Sequence, residues 1–347
     1  MRHPRSTRTI AGTAVLLTAA LVAAACGGAR SGGGGGDGSH TIKFSHVVTK
    51  ETPKGQAAEK FKELVENQCG DQITVEVYPN SELYGDEDEM QAVQSGAAQM
   101  LAPASAKFTT IAPQLQVLDL PFLFDSVEDI PKIASPDTEV GKAIFENQAL
   151  ADRGIKVLGL WDNGLKQLSS NKQLAKPSDL RGQRFRIQPS DVLRSQFGKW
   201  RGETTPMAFS EVYSALQQGV IDGQENPYSN IESQNMHTVQ KHITESNHGY
   251  IGYAHVINNE FFESLSPELQ DCVTSAADEA ADFNHEIATR VNEESKKTIE
   301  KEGSTEITEL TEEQREAFKD AVVPSVWKQY SDVLGEELIA DLLAAQE

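Results

Sequence analysis

The sequence has little cysteine and no apolar run long enough to cross a membrane. Its 347 residues include three cysteines, Cys26, Cys69 and Cys272, and no Cys-x-x-Cys pair. The uncharged run at residues 10–25 holds sixteen residues, whereas a membrane-spanning helix needs about 20, and no later stretch comes closer. The sequence therefore predicts no spanning helix, and thiol redox chemistry lacks its motif.

Motifs of the common hydrolases are absent as well. The eight histidines show no His-Glu-x-x-His spacing, and there is no Gly-x-Ser-x-Gly elbow. With 52 acidic residues, a glycosidase pair cannot be distinguished from solvated carboxylates. We therefore predict that the chain is not an enzyme and that it has no metal site and no cofactor.

Basic charge is scarce overall and locally concentrated. Lysine and arginine total 31, which gives a net charge of -21 and argues against a nucleic-acid partner. Residues 165–202 nevertheless contain nine basic and two acidic side chains. Most of these basic side chains are expected to face water. A positive field at this place would still concentrate an anionic ligand.

Two arginines in this basic segment are candidates for an anion site. Arg184 and Arg186 alternate with Phe185 and Ile187 in a strand-like pattern, so the two arginines would share one face. A guanidinium matches the planar geometry of a carboxylate. The pattern alone leaves open which arginine enters a cleft.

The first forty residues predict export and a membrane tether. Residues 1–25 resemble a signal peptide, with basic residues ahead of an apolar run. Three alanines precede Cys26, which suits a lipoprotein signal with an acylated cysteine, although Ala23 replaces the usual Leu and ordinary cleavage also fits. Residues 26–40 are glycine-rich and predict a flexible tether. The expected location is extracytoplasmic, as a cell-membrane lipoprotein or, without acylation, as a secreted or periplasmic protein.

The remaining body alternates strands and helices, which predicts an α/β class with a mostly parallel sheet. A long helix is expected from Pro267 to just before Gly303. Its 36 or so residues would extend roughly 54 Å, enough to cross two lobes, with a surface helix or a coiled-coil arm as the alternative. Cys69 and Cys272 are expected to be two free, packed thiols, because the demanding geometry of a disulfide cannot be inferred from the sequence.

Nine short motifs occur in an order and spacing that are specific only together. They are FSHVV at 44–48, TPKG at 52–55, YPNSELY at 78–84, DLPFLF at 119–124, WDNGLKQ at 161–167, LRGQRFR at 180–186, MAFSEVY at 207–213, DGQENP at 222–227 and SNHGY at 246–250. Together they resemble the DctP family of solute-binding proteins of TRAP-type (tripartite ATP-independent periplasmic) transporters, in its C4-dicarboxylate-binding branch. The resemblance spans nearly the whole body.

The resemblance implies a two-lobe periplasmic-binding-protein-like fold, with a long helix crossing both lobes and the ligand in the cleft. Lobe I would comprise residues 41–163 plus 252–288. Lobe II would comprise residues 164–251 plus 289–347. Lobe closure around the ligand is then the expected mode of binding.

The resemblance also implies a set of ligand-binding residues. Arg186 would pair with a ligand carboxylate, and Lys166 would be a helper cation. Phe209 would pack on the ligand, although it could be ordinary core. Asn226 would donate from its amide, although it could cap a helix. The further pocket positions are Lys54, which would otherwise be solvated, and Asp86, His46 and Trp161.

The function implied is that of an extracytoplasmic receptor for a small carboxylate, such as succinate, malate or fumarate. Its partners would be the small and large membrane subunits of a TRAP transporter, with a lipid anchor holding it to the membrane. A receptor for another organic acid, aromatic or keto, and a ligand-binding module for a sensor are the alternatives.

Overall fold

The computed structural model describes residues 39–344. The predicted signal peptide, Cys26 and nearly all of the predicted tether lie outside these residues. The strands of the described part are β1 (His40–Ser45), β2 (Ile73–Tyr78), β3 (Met100–Leu101), β4 (Ile155–Leu165), β5 (Gln167–Ser170), β6 (Arg184–Ile187), β7 (Glu203–Pro206), β8 (Gly223–Asn226), β9 (His242–Glu245), β10 (Tyr250–Asn258) and β11 (Glu306–Glu309).

Helices of very different lengths surround these strands. They are α1 (Pro53–Gln68), α2 (Glu89–Gln94), α3 (Ile130–Ala134), α4 (Glu139–Phe145), α5 (Gln148–Ala151), α6 (Asp191–Lys199), α7 (Val212–Gln217), α8 (Tyr228–Ser233), α9 (Asn259–Ser264), α10 (Pro267–Glu302), α11 (Glu312–Asp320), α12 (Ser325–Gln329), α13 (Ser331–Leu334) and α14 (Glu336–Ala344). Two short 3-10 turns, Ser105–Phe108 and Phe209–Glu211, also bear on the site.

The strands form two mixed sheets. One has the order β2-β1-β3-β10-β4 and the other β11-β9-β5-β8-β6-β7. The prediction of mostly parallel strands is confirmed, because in each of the two described sheets one strand runs against the others. In the first sheet β10 runs antiparallel to β3 and β4, and in the second β5 runs antiparallel to β8 and β9. The antiparallel strands arise because the chain passes directly from one sheet to the other and back.

Two short connections and the long helix α10 carry the chain between the sheets. Lys166 separates β4 from β5, and residues 246–249 separate β9 from β10. The connections touch each other, because the Lys166 N–H donates to the Gly249 carbonyl at 2.7 Å. Each sheet is therefore built from segments that are distant in sequence.

The long helix α10 has the bounds that its capping residues predict. The Ser266 hydroxyl accepts from the Leu269 N–H at 3.3 Å, and Gly303 ends the helix at φ 67°. The helix contacts the first sheet where Asn284 donates to the Asp162 carbonyl at 3.1 Å. Further along, its Lys296 pairs with Glu245 in β9 of the second sheet. The prediction that this helix spans both halves is confirmed.

The expectation of two free thiols is wrong, because Cys69 and Cys272 form a disulfide. The apolar face of α1 packs against α10, and this packing brings the two Cα atoms to 5.9 Å. That separation lies within the usual range for a disulfide. The bond joins residues 203 positions apart.

Candidate functional site

A small cavity lies where segments that follow strands of both sheets meet. With the solvent at its opening included, it comprises ≈310 Å³ of space outside the protein atoms. Its walls are formed by Val47, Val48, Lys54, Asp86, Glu89, Ala104, Lys107, Arg186, Gln188, Phe209, Asn226, Asn230 and Tyr253. Five of the predicted site residues are therefore brought together. They are Arg186, Asn226, Phe209, Lys54 and Asp86.

Two larger grooves run beside α10 and differ from this cavity in charge. The groove of ≈750 Å³ has one basic side chain, Lys296, which is already paired with Glu245. The groove of ≈970 Å³ has no lysine or arginine in its walls. The cavity between the sheets, although smaller, has three basic side chains and suits an anion better.

The structure separates the two candidate arginines of β6. The side chain of Arg184 is 43% exposed and pairs with Asp222 at 3.3 Å. Arg186 is 2% exposed and lines the cavity, and its Nε and Nη2 donate to the Met207 carbonyl at 3.0 and 2.9 Å. Among the described residues no atom accepts a hydrogen bond from its Nη1, which is available to a ligand. Burial lowers the pKa of Arg186, but a guanidinium remains charged at any physiological pH.

Phe209 packs beside this arginine. The Arg186 guanidinium carbon lies 5.9 Å from the centroid of the Phe209 ring. Phe209 also belongs to a buried cluster with Val48 and Val212. The ring therefore contributes to the core and forms part of the cavity wall.

Lys54 is fully buried in the first turn of α1. Thr52 caps this helix and Pro53 occupies its first turn, which directs the lysine inward. The Lys54 ammonium donates to the Ala102 carbonyl at 3.0 Å and lies 3.8 Å from the centroid of the Tyr253 ring. Burial lowers the pKa of Lys54 to about 8, so the group is largely charged at neutral pH.

Asp86 holds the third cation of the cavity. Its Oδ1 pairs with the Lys107 ammonium at 2.8 Å, and its Oδ2 accepts from the Phe209 N–H at 2.5 Å. Burial acts to raise the pKa of Asp86, but the Lys107 ammonium outweighs it, and the pKa falls below its usual range. Asp86 is therefore ionised and compensated.

Glu89 is a second cavity carboxyl, and it forms no such ion pair within the described residues. It is 1% exposed, and its Oε1 has no hydrogen-bond partner among the described residues. Burial, and after it the neighbouring Asp86, raise the pKa of Glu89 to about 7. Around neutral pH this group therefore exchanges a proton.

Asn226 ends β8 and is held by two other amides. Its Nδ2 donates to Gln224 Oε1 at 2.6 Å, and its Oδ1 accepts from Asn230 Nδ2 at 2.9 Å. The alternative of a helix cap is wrong, because α8 has Pro227 at its N-cap and no side chain caps it. These amides give the cavity a fixed polar wall.

The other three predicted site residues lie outside the cavity walls. Lys166 is 1% exposed, and its ammonium pairs with Glu225 at 2.9 Å. His46 is fully buried, and burial lowers its pKa to about 3, so it is neutral. Trp161 is fully buried, with its ring centroid 4.4 Å from that of His255. Ligand contact by these residues stays a prediction.

The sequence reasoning did not single out Lys107, Glu89 or Tyr253 as cavity residues. Lys107 reaches the cavity because the 3-10 turn at Ser105–Phe108 brings it to the same side as Ala104, which also lines the cavity. No pattern in the sequence indicated Tyr253. All nine residues of β10 are buried, so the strand has no exposed face that would indicate which of its side chains line the cavity. In total, three cations oppose two carboxyl groups.

Within residues 39–344 no helix is both long and apolar enough to cross a bilayer. Two sheets connected by crossing segments and a long helix, with a cationic cavity between them, define a solute-binding protein. The model of the family described as bacterial extracellular solute-binding protein, family 7, named DctP, matches residues 44–332. The chain belongs to this family, and its family places it outside the cytoplasm.

Individual proteins support this assignment. The C4-dicarboxylate-binding periplasmic protein DctP of Rhodobacter capsulatus is 44% identical over 305 residues, which cover 88% of this chain and 90% of that protein. A TRAP periplasmic solute-binding protein from Shewanella oneidensis, solved with bound succinate, has a TM-score of 0.84 and 39% identity, covering 89% of this chain and all of that one. Another from Pseudomonas aeruginosa, with bound L-malate, has a TM-score of 0.81 and 37% identity, covering 84% and 100%.

Proposed function

We propose that this chain is the extracytoplasmic receptor of a TRAP transporter and binds a C4-dicarboxylate, such as succinate, malate or fumarate, in the cavity between the sheets. The observation that carries the proposal is the meeting of Arg186, Lys54 and Lys107 around one buried space. Similar proteins described as C4-dicarboxylate-binding, or solved with succinate and malate, support the ligand class.

Arg186 is the proposed anchor for one ligand carboxylate. Its position is fixed by the Met207 carbonyl, so little rotamer freedom is lost on binding. The unpaired Nη1 and the adjacent Phe209 ring offer a charged donor and an apolar surface. Asn226 would supply a neutral donor, and Lys54 would attract the second carboxylate from the other side of the cavity.

Lys166, His46 and Trp161 are proposed to support the site from behind its walls. Lys166 already compensates Glu225, and a ligand carboxylate would compete with this partner. Trp161 and His46 both pack near Phe44, with ring centroids 5.8 and 6.3 Å away. This packing fixes the end of β1, from which Val47 and Val48 continue into the cavity wall.

The proposed motion is closure of two lobes. Lobe I, at residues 41–163 plus 252–288, contains most of the first sheet, and lobe II, at residues 164–251 plus 289–347, contains the second. The strand ends support two of the proposed boundaries. The boundary after residue 163 lies within three residues of the end of β4 at Leu165, and the boundary after residue 251 lies within three residues of the start of β10 at Tyr250. A dianion that contacts both lobes stabilises the closed state by its differential contacts.

The membrane context is also proposed. Residues 1–25 would be removed as a signal peptide, Cys26 would carry the lipid, and residues 26–40 would link the body to the membrane. The small and large membrane subunits of the transporter would recognise the closed form. No catalytic step is assigned to the protein.

Isothermal titration calorimetry with a panel of acids tests the proposed ligand. Succinate, malate and fumarate should bind, and the neutral dimethyl ester of succinate should not. Aromatic and keto monoacids of similar size belong in the panel, because their preferential binding would replace the dicarboxylate assignment with the alternative receptor function. Uptake of labelled succinate by vesicles with the two membrane subunits, with and without the receptor, separates a transport role from a sensor role.

A further inference from the structure

Glu89 differs from Asp86, the other carboxyl group of the cavity, in forming no ion pair within the described residues. It begins α2 and is buried to 1% exposure against the cavity. Within the described residues it enters no ion pair, and its Oε1 accepts no hydrogen bond. Asp86, by contrast, has Lys107 and the Phe209 N–H. A buried carboxylate with no ion pair is costly, and Lys54 and Lys107 offset this cost only in part, so the protonation state of Glu89 responds to any added charge.

The groups that act on Glu89 come from each surrounding element. Asp86 precedes it in the chain, Lys54 comes from α1, Lys107 from the Ser105–Phe108 turn, and Tyr253 from β10. Arg186 of β6 interacts with Asp86. His46, beside Lys54, is neutral.

The charge of the empty cavity therefore depends on Glu89. With Glu89 ionised, three cations face two carboxylates and the net charge is one positive unit. With Glu89 protonated, the net charge is two positive units and the Glu89 hydroxyl becomes a hydrogen-bond donor. The first state matches a monoanion in charge, and the second matches a dianion.

We propose that Glu89 determines the ligand charge that the cavity accepts, by taking up a proton when a dicarboxylate dianion binds. This inference rests on the proposed function of the site. A dianion at the cavity raises the pKa of Glu89 above its value in the free protein. Below about pH 7 Glu89 is protonated in both states and no proton is exchanged, whereas above this pH binding takes up a proton and the affinity falls.

The expected pH effect differs between dianions and monoanions. The affinity for succinate should fall as the pH rises from about 6.5 to about 8.5, with a slope of up to about tenfold per pH unit. The monoamide of succinate, which carries one charge less, should show a weaker slope. Preference for succinate over its monoamide should therefore be greatest at the lower pH.

Difference infrared spectroscopy observes the proton directly. Succinate with carboxylates labelled by ¹³C, which shifts the ligand bands away, is added to the protein at about pH 8 and about pH 6, on either side of the Glu89 transition. The C=O stretch of a protonated carboxylic acid should appear on binding at the higher pH and should be nearly unchanged at the lower. Calorimetry in two buffers of different ionisation enthalpy counts the protons, including any taken up by Lys54.

Two variants identify the group. Glu89→Gln resembles the protonated side chain in size and should lose the infrared gain, and it should bind succinate more tightly than the wild type at the higher pH. Asp88→Asn removes an exposed carboxylate from the adjacent position and should retain both wild-type properties. If Glu89→Gln does not fold, the pH comparison in the wild type still tests whether a carboxyl group takes up a proton on binding.

Succinate binding with no gain in protonated carboxyl signal would overturn the inference alone. A gain that persists in Glu89→Gln would also overturn it, because the proton would then be on another group. Absence of dicarboxylate binding by the wild type would contradict the proposed function, and this inference with it.

Discussion

The Phe209 N–H donates to Asp86 Oδ2 at 2.5 Å, across 123 positions of sequence. Asp86 lies after β2 of the first sheet and Phe209 after β7 of the second. The other oxygen of the same carboxylate holds Lys107 at 2.8 Å. One side chain therefore positions a cavity cation and joins the two sides of the cavity.

Asp86→Ala should favour an open form of the protein. The substitution removes a charge-assisted hydrogen bond across the cavity, a contact worth about 1.5–3 kcal/mol. Small-angle X-ray scattering should show a larger radius of gyration than in the wild type. The control is Asp88→Ala, which alters an exposed carboxylate in the same segment, and equal expansion by both variants would contradict the role of Asp86. Affinity is a poorer measure, since loss of a negative charge attracts a dianion.

Arg186→Ala should weaken succinate binding by about 100-fold or more, because loss of a buried partner for a carboxylate costs about 3–5 kcal/mol. Circular dichroism should show an unchanged fold. Arg184→Ala is a matched control in the same strand, and its half-exposed pair with Asp222 should contribute at most about 1 kcal/mol to stability and nothing to affinity. Similar affinities of the two variants by calorimetry would refute the assignment of Arg186.

Local signals in the sequence predicted the local structure well. The bounds of α10 follow from Ser266, Pro267 and Gly303, which satisfy the helix ends without tertiary contacts. The alternation at β6 is equally local. This alternation placed the two arginines on one face, but their exposure differs. Arg184 donates to the Asp222 carboxylate at the surface, whereas Arg186 donates to the buried Met207 carbonyl.

Features that depend on distant segments were missed or misassigned. The disulfide requires α1 to lie against α10, and the antiparallel strands β5 and β10 require the chain to cross directly between the sheets. Glu225, the partner of Lys166, lies 59 residues away, and nothing near Lys166 in the sequence indicates this compensation. Spacing along the chain carries little information on such contacts, because they are set by how whole elements pack.

Removing the disulfide should destabilise the protein and leave ligand binding intact. Replacing both Cys69 and Cys272 by serine frees the unfolded chain of a constraint on a long loop, and the expected loss is about 2–5 kcal/mol in the free energy of unfolding. Urea denaturation followed by circular dichroism measures it. Dithiothreitol should lower the stability of the wild type and have no effect on the double variant. A wild type equally stable with and without reductant would contradict the prediction.

Glu225 and Lys166 should behave as an inseparable buried pair. Burial acts to raise the pKa of Glu225, but Lys166 and then His248 outweigh it and lower the pKa to about 2. Because folding lowers the pKa of Glu225, its ionised form stabilises the folded protein. This stabilisation is complete above the pKa of glutamate in the unfolded chain, about 4.3, and is lost as the pH falls from there through about 2. The pair should therefore stabilise the folded protein at neutral pH and lose this contribution in acid.

A double-mutant cycle tests this pairing at neutral pH. Glu225→Gln or Lys166→Met alone leaves a buried charge uncompensated and should cost about 3–5 kcal/mol, whereas the double variant should recover much of this loss. Urea denaturation at neutral pH and again below about pH 3, where the contribution of Glu225 declines, measures both effects. Additive losses in the double variant would show that the two charges act independently. Succinate affinity of a stable double variant then reports whether Lys166 also attracts the ligand, since an affinity equal to that of the wild type confines Lys166 to a structural role.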